Sequence, residues 1–134
     1  MYPLDTNIWL ERLLGQEQSA AVGELLDRLP LDQVLLTDFT LHSLGVILHR
    51  LRRHAVFVAF VQDVLLDGGV ALIGLPPPAM ADVVAAMEAF NLDFDDGYQY
   101  VVALRENAGL ISFDAHFDRT DRGRLTPATV LGRL

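Results

Sequence analysis

Three aspartates stand where apolar runs break off or helices can begin: Asp5 after Tyr2-Pro3-Leu4, Asp96 in Asp95-Asp96-Gly97-Tyr98, and Asp114 after Leu110-Ile111-Ser112-Phe113. A carboxylate at the carboxyl end of a buried strand lies on the rim where open α/β sheets bind ligands. Taken singly, each reads as a strand end or a helix cap. Drawn together in a low-dielectric pocket, the three would repel one another strongly unless a cation neutralised them. An all-oxygen pocket of this kind suits Mg²⁺ or Mn²⁺, which keep waters able to attack a phosphodiester.

The elements that must position these residues follow from periodicity. Residues 2–4 read as a strand, with Thr6 or Asn7 capping a helix that carries Ile8, Trp9, Leu10 and Leu13. Ala20, Val22, Leu25, Leu26 and Leu29 recur at helical spacing until Pro30 stops the pattern. Val34-Leu35-Leu36-Thr37 is short and continuously apolar, as a buried parallel strand is. Asp38 is placed to cap the helix that follows, and Ala55 to Leu66 predicts another. Residues 70–73 give a third strand, 79–90 a helix ending at Asn91, and Asp93 or Asp95 caps the helix leading to Leu104. Leu110 to Phe113 is a fourth strand, and Leu125-Thr126 a last edge strand before a turn of helix from Pro127. Strands alternating with helices predict a three-layer α/β/α sandwich around a mostly parallel sheet, formed by one domain over residues 1–134.

Composition narrows the function. The chain of 134 residues is long enough for one ordinary core, and no internal repeat interrupts it. Cysteine is absent, which excludes disulfides and thiolate-bound metals and leaves oxygen or imidazole as ligands. The formal charge of −8 argues against a broad basic nucleic-acid surface. All the basic residues are arginine, clustered at Arg50, Arg52 and Arg53 and again at Arg119, Arg122 and Arg124. The second cluster follows Asp114 closely and is the better placed to meet a phosphate backbone. No apolar run reaches the roughly 18 to 20 residues of a membrane span, and early charges break any signal-peptide pattern. The expected location is the cytoplasm.

The ordered blocks Asp5-Thr6-Asn7, Asp96-Gly97 with Ala103 further along a helix, and Ile111-Ser112-Phe113-Asp114-Ala115-His116-Phe117 resemble those of PIN-domain proteins, including the VapC-type toxin ribonucleases. Leu125-Thr126-Pro127 resembles the end of that family. The resemblance implies metal-dependent RNA hydrolysis with Asp5, Asp96 and Asp114 as ligands to Mg²⁺ or Mn²⁺. It also implies Asn7 and Ser112 as supporting hydrogen-bond partners and Asp118 as an outer or second-ion ligand. A homodimer and an antitoxin that covers the acidic site are implied as partners.

One block departs from the family pattern. Where a Glu is usual on the helix after the second strand, Thr40-Leu41-His42-Ser43-Leu44 places Ser43, which removes a negative charge from the pocket. A second reading is therefore a PIN module that binds RNA or protein without cleaving it. A phosphoacceptor domain of receiver type is a third, but it wants a lysine and the chain has none. His42 reads as a helix-surface residue, and His49, His54 and His116, lacking a His partner at metal-binding spacing, as solvated or capping residues. Tyr98 and Tyr100, two apart on a helix, face different ways, so at most one lines the site. The helices over 41–51 and 55–66 are apolar around more of their circumference than a small monomer covers, which predicts an association surface.

Overall fold

A computed structural model describes residues 1–134. Three strands, β1 (Tyr2–Pro3), β2 (Val34–Thr37) and β3 (Ala71–Ile73), form a parallel sheet with β2 in the middle. Tyr2 pairs with Val34, and Leu35, Leu36 and Thr37 pair with Ala71, Leu72 and Ile73. Seven helices surround it: α1 (Thr6–Leu13), α2 (Ser19–Arg28), α3 (Asp38–Arg50), α4 (His54–Phe60), α5 (Met80–Phe90), α6 (Phe94–Arg105) and α7 (Pro127–Leu131). The expected three-layer α/β/α arrangement is the one observed.

The expected fourth and edge strands are narrower than their sequences suggest. Ile111 makes single parallel bridges to Leu4 on one side and Leu125 on the other. Its N–H donates to the Pro3 carbonyl at 3.0 Å, and its own carbonyl accepts from Asp5 at 2.9 Å. Pairing stops there because both chains turn at once, Asp5 into α1 and Asp114 into a 3₁₀ turn over Ala115–Arg119. The sheet thus extends by two bridges beyond β1.

The helix expected over 55–66 changes character midway. After α4 the chain widens into a π-helical segment, Val61–Asp67. Gly68 lets it close: a Cβ there would stand 2.7 Å from the carbonyl oxygens of both Asp63 and Val64. Two capping assignments also shift by one residue. Asp5 itself caps α1 through Thr6 N–H, and Thr37 caps α3 through Thr40 N–H, leaving Asp38 as the first helical residue. Asp93 caps α6 and left-handed Asn91 ends α5, both as expected.

The main core lies between the sheet and α1 to α4, with Leu4, Ile8, Val22, Leu25, Leu36 and Leu44 almost wholly buried. Trp9 meets Phe60 edge to face at 5.1 Å. A smaller core joins α5 to α6 through Val83, Ala86, Tyr100 and Val101. These helices approach closely at Gly97, where a Cβ would meet Met87 at 3.0 Å. Every residue of α6 from Asp96 to Ala103 is buried. No helix is long and apolar enough to cross a membrane.

Candidate metal centre

Asp5 and Asp114 each begin a helical turn where a strand segment ends, and Asp96 meets them from the first turn of a helix. Asp5 caps α1, Asp96 sits in the first turn of α6, and Asp114 caps the turn over Ala115–Arg119. Backbone N–H groups at helix starts favour negative charge. Parallel strands all end on one rim, so residues far apart in sequence arrive at one place.

Asp5 is buried, and every close partner is a donor. Its Oδ1 accepts from Thr6 N–H at 2.8 Å and from the Gln99 amide at 3.2 Å, and its Oδ2 accepts from the Ser112 hydroxyl at 2.7 Å. Ser112 Oγ also accepts from the Asn7 amide and from Asp114 N–H. Asn7 Oδ1 in turn accepts from Phe113 N–H. Gln99 extends the network, its Nε2 donating to Thr40 Oγ1 at 2.6 Å and its Oε1 accepting from Thr37 Oγ1 at 2.8 Å. Burial pushes the Asp5 carboxyl up, the bonds from Ser112, Gln99 and Thr6 oppose this, and the charge of Asp114 adds to it.

Asp96 is pushed up to about 6, first by burial and then by the charges of Asp114, Asp93 and Asp5, with the His116 contact opposing. Like charges crowded this way are what a bound cation relieves. Asp95, raised by burial and by Asp93, shares a cavity of about 220 Å³ with Asp5, Asn7, Ser43, Asp96 and Gln99. Ser43, at the position where the family resemblance wants Glu, thus presents a neutral side chain to the same cavity.

The residue that sequence reasoning passed over is His116. Its Nδ1 lies 3.3 Å from Asp114 Oδ1 and 3.4 Å from Asp96 Oδ2. Asp96, Asp114 and His116 each offer a ligand atom, all within 4.8 Å of one another. Searching for a second histidine missed it, because its partners are carboxylates. The legible signal was Asp-x-His at a strand end. Gln99 was missed too, although it follows Asp96 by three residues and so shares its helix face.

Other candidates go elsewhere. Asp118 is not in the cluster, its carboxylate pairing with Arg124 at 3.2 Å. Arg119 donates to the Asn91 carbonyl at 2.7 Å and Arg122 to the Ala108 carbonyl at 3.1 Å. Arg124 also reaches the Ser112 carbonyl, which braces the strand end from outside. His42 is exposed, and the rings of His49 and His54 meet at 2.8 Å. Arg50, Arg52 and Arg53 are exposed around the end of α3. Neither tyrosine lines the acidic cavity. Tyr98 donates to Asp38 and accepts from Leu75 N–H, and Tyr100 donates to Asp121.

The sheet, its flanking helices and the cluster on its rim define an α/β protein with two aspartates and a histidine gathered at one place. The model of the PIN domain matches residues 2–123, and the chain belongs to the PIN-domain family. No curated protein matches it. A chain in the structure of FitAB bound to an IR36 DNA fragment is 20% identical with a TM-score of 0.82, the match covering 95% of each chain. VapC20 of Mycobacterium tuberculosis, described as a sarcin–ricin loop cleaving toxin, is 17% identical with a TM-score of 0.78 over 93% of this chain and 97% of that one. A toxin–antitoxin complex from Klebsiella pneumoniae matches at 17% identity and a TM-score of 0.73, over 95% and 98% of the two chains. At these identities the likeness is one of fold.

Proposed function

We propose that this protein is a divalent-metal-dependent ribonuclease, working as one domain over residues 1–134 in the cytoplasm and forming the toxin half of a toxin–antitoxin pair. The observation that carries this reading is the convergence of Asp96, Asp114 and His116 within 4.8 Å, with Asp5 held behind them by Ser112 and Gln99. Family membership supplies the context, and the toxin descriptions of the similar structures support the biological role.

The donor set fits Mg²⁺ or Mn²⁺: carboxylate oxygens whose mutual repulsion raises Asp96, and one imidazole. A bound divalent ion supplies Lewis acidity to the scissile phosphate and its attacking water. Asp5, Asp96 and Asp114 would hold the ion, with His116 beside them. Asp5 contributes the third charge, while Asn7 and Ser112 fix its direction. Arg119 and Arg122, exposed and each giving one guanidinium N–H to a backbone carbonyl, keep further donors for the RNA backbone, and Asp118 is left to orient Arg124. Exposed Val58, Leu66 and Leu51 on and beside α4 supply apolar surface for a homodimer or for the antitoxin.

The test is incubation of purified protein with a mixed RNA pool, with Mg²⁺, with Mn²⁺ and with EDTA. Cleavage with metal alone, lost in Asp5→Asn, is expected. Absence of cleavage with either ion overturns the proposal in favour of a binding module, the second reading, which the neutral Ser43 in the acidic cavity favours.

A further inference from the structure

We infer that His116 is a nitrogen ligand that biases this centre toward first-row transition ions over Mg²⁺. The inference rests on the reading of the cluster as a divalent-metal centre, and it adds a ligand and a metal preference that the three aspartates do not imply.

The geometry is specific. Two ligand atoms each about 2.1 Å from an ion and at right angles to one another are about 3 Å apart, the cis edge of an octahedron. His116 Nδ1 is already 3.3 Å from Asp114 Oδ1 and 3.4 Å from Asp96 Oδ2, close to that edge on both sides. The backbone holds it there, since His116 N–H donates to the same Asp114 Oδ1 at 2.8 Å. One short turn therefore places the carboxylate and the imidazole on one side. The side chain of His116 is 54% exposed, and its polar contacts inside the cluster are the carboxylates of Asp96 and Asp114.

Chemistry then sets the preference. Mg²⁺ favours oxygen and gives up its waters reluctantly, whereas imidazole strengthens binding along the series from Mn²⁺ to Co²⁺ and Ni²⁺. Ser43 adds no charge to the cavity that would favour a hard ion. The centre is consequently a mixed oxygen–nitrogen one.

The test is metal binding by titration calorimetry, together with pulsed EPR of the Mn²⁺-loaded protein, on untagged wild type, His116→Ala, Asp114→Asn and His54→Gln. The last variant controls for the His49–His54 pair. Wild type is expected to show ¹⁴N coupling to Mn²⁺ and tighter Co²⁺ than Mg²⁺ binding. His116→Ala should lose the coupling and weaken Co²⁺ about tenfold or more, with Mg²⁺ changed by less than about twofold. Circular dichroism should show the variant folded. Binding that depends on Asp114 but shows no ¹⁴N coupling, or equal losses for Co²⁺ and Mg²⁺, overturns the role of His116 alone. Coupling that survives His116→Ala and vanishes in His54→Gln overturns it as well. Failure of all three ions to bind wild type overturns the metal-centre reading beneath it.

Discussion

The hydroxyl of Ser112 donates to Asp5 Oδ2 at 2.7 Å across 107 residues of sequence. That one side chain also receives Asn7 and the backbone N–H of Asp114, so it joins the start of α1 to the strand end that carries the third aspartate. Ser112→Ala removes a fully buried hub and leaves several polar groups without it. It should lower stability to urea by about 1–3 kcal/mol. Divalent-ion affinity, read by calorimetry, should fall about 10- to 100-fold with it.

Asp5→Asn keeps the shape of the side chain and removes its charge. RNA cleavage in Mn²⁺ should drop by about 10²-fold or more, as when one preorganised electrostatic group is deleted from an active site. The circular dichroism spectrum should match wild type, because the remaining amide oxygen still accepts from Thr6 N–H and Gln99 and only the acceptor for the Ser112 hydroxyl is lost.

Gln99→Leu is the corresponding test of the network behind Asp5. It removes one hydrogen bond from each of Thr37, Thr40 and Asp5 in a site where all four side chains are buried. A loss of about 2–4 kcal/mol in denaturant unfolding is expected, more than a single exposed hydrogen bond contributes.

The raised carboxyls set the pH dependence of the metal-free protein. Asp5 and Asp96 hold their protons more tightly when folded than unfolded, Asp96 up to about 6 against an ordinary value of 3.8. Stability in EDTA should therefore fall as pH rises between about 4 and 6. Asp96→Asn should flatten that fall and raise Tm at pH 7 by roughly 2–5 °C. Thermal melts across the pH range, with and without Mn²⁺, read both effects, and the ion should restore what ionisation removes.

Ser43→Glu puts a carboxylate into the cavity shared by Asp5 and Asp96. Mn²⁺ binding should tighten by about tenfold while Tm in EDTA drops, since a further like charge is added where charges already crowd. An unchanged affinity would mean that position 43 does not face the ion.

Much of this was legible in the sequence, for identifiable reasons. Strand and helix periods fixed the element order, and Asp5, Asp96 and Asp114 were marked by sitting where those patterns break. What was not legible depends on side chains meeting across the fold. Gln99 looks like any polar residue on a helix until Thr37, Thr40 and Asp5 surround it. His116 has no histidine partner to advertise it. The strand over 110–113 reads longer than it is because its apolar residues serve burial, whereas ladder length is set by where its neighbour β1 turns away.

α6 carries Asp96 and Gln99, and it has no solvent face between Asp96 and Ala103. A fully enclosed rod gives the site its rigidity and removes any neutral ground for mutation along that span. Random libraries of this protein should accordingly show a silent gap there, with lost activity and lost solubility arriving together. Only shape-preserving exchanges such as Asp to Asn can tell the two apart.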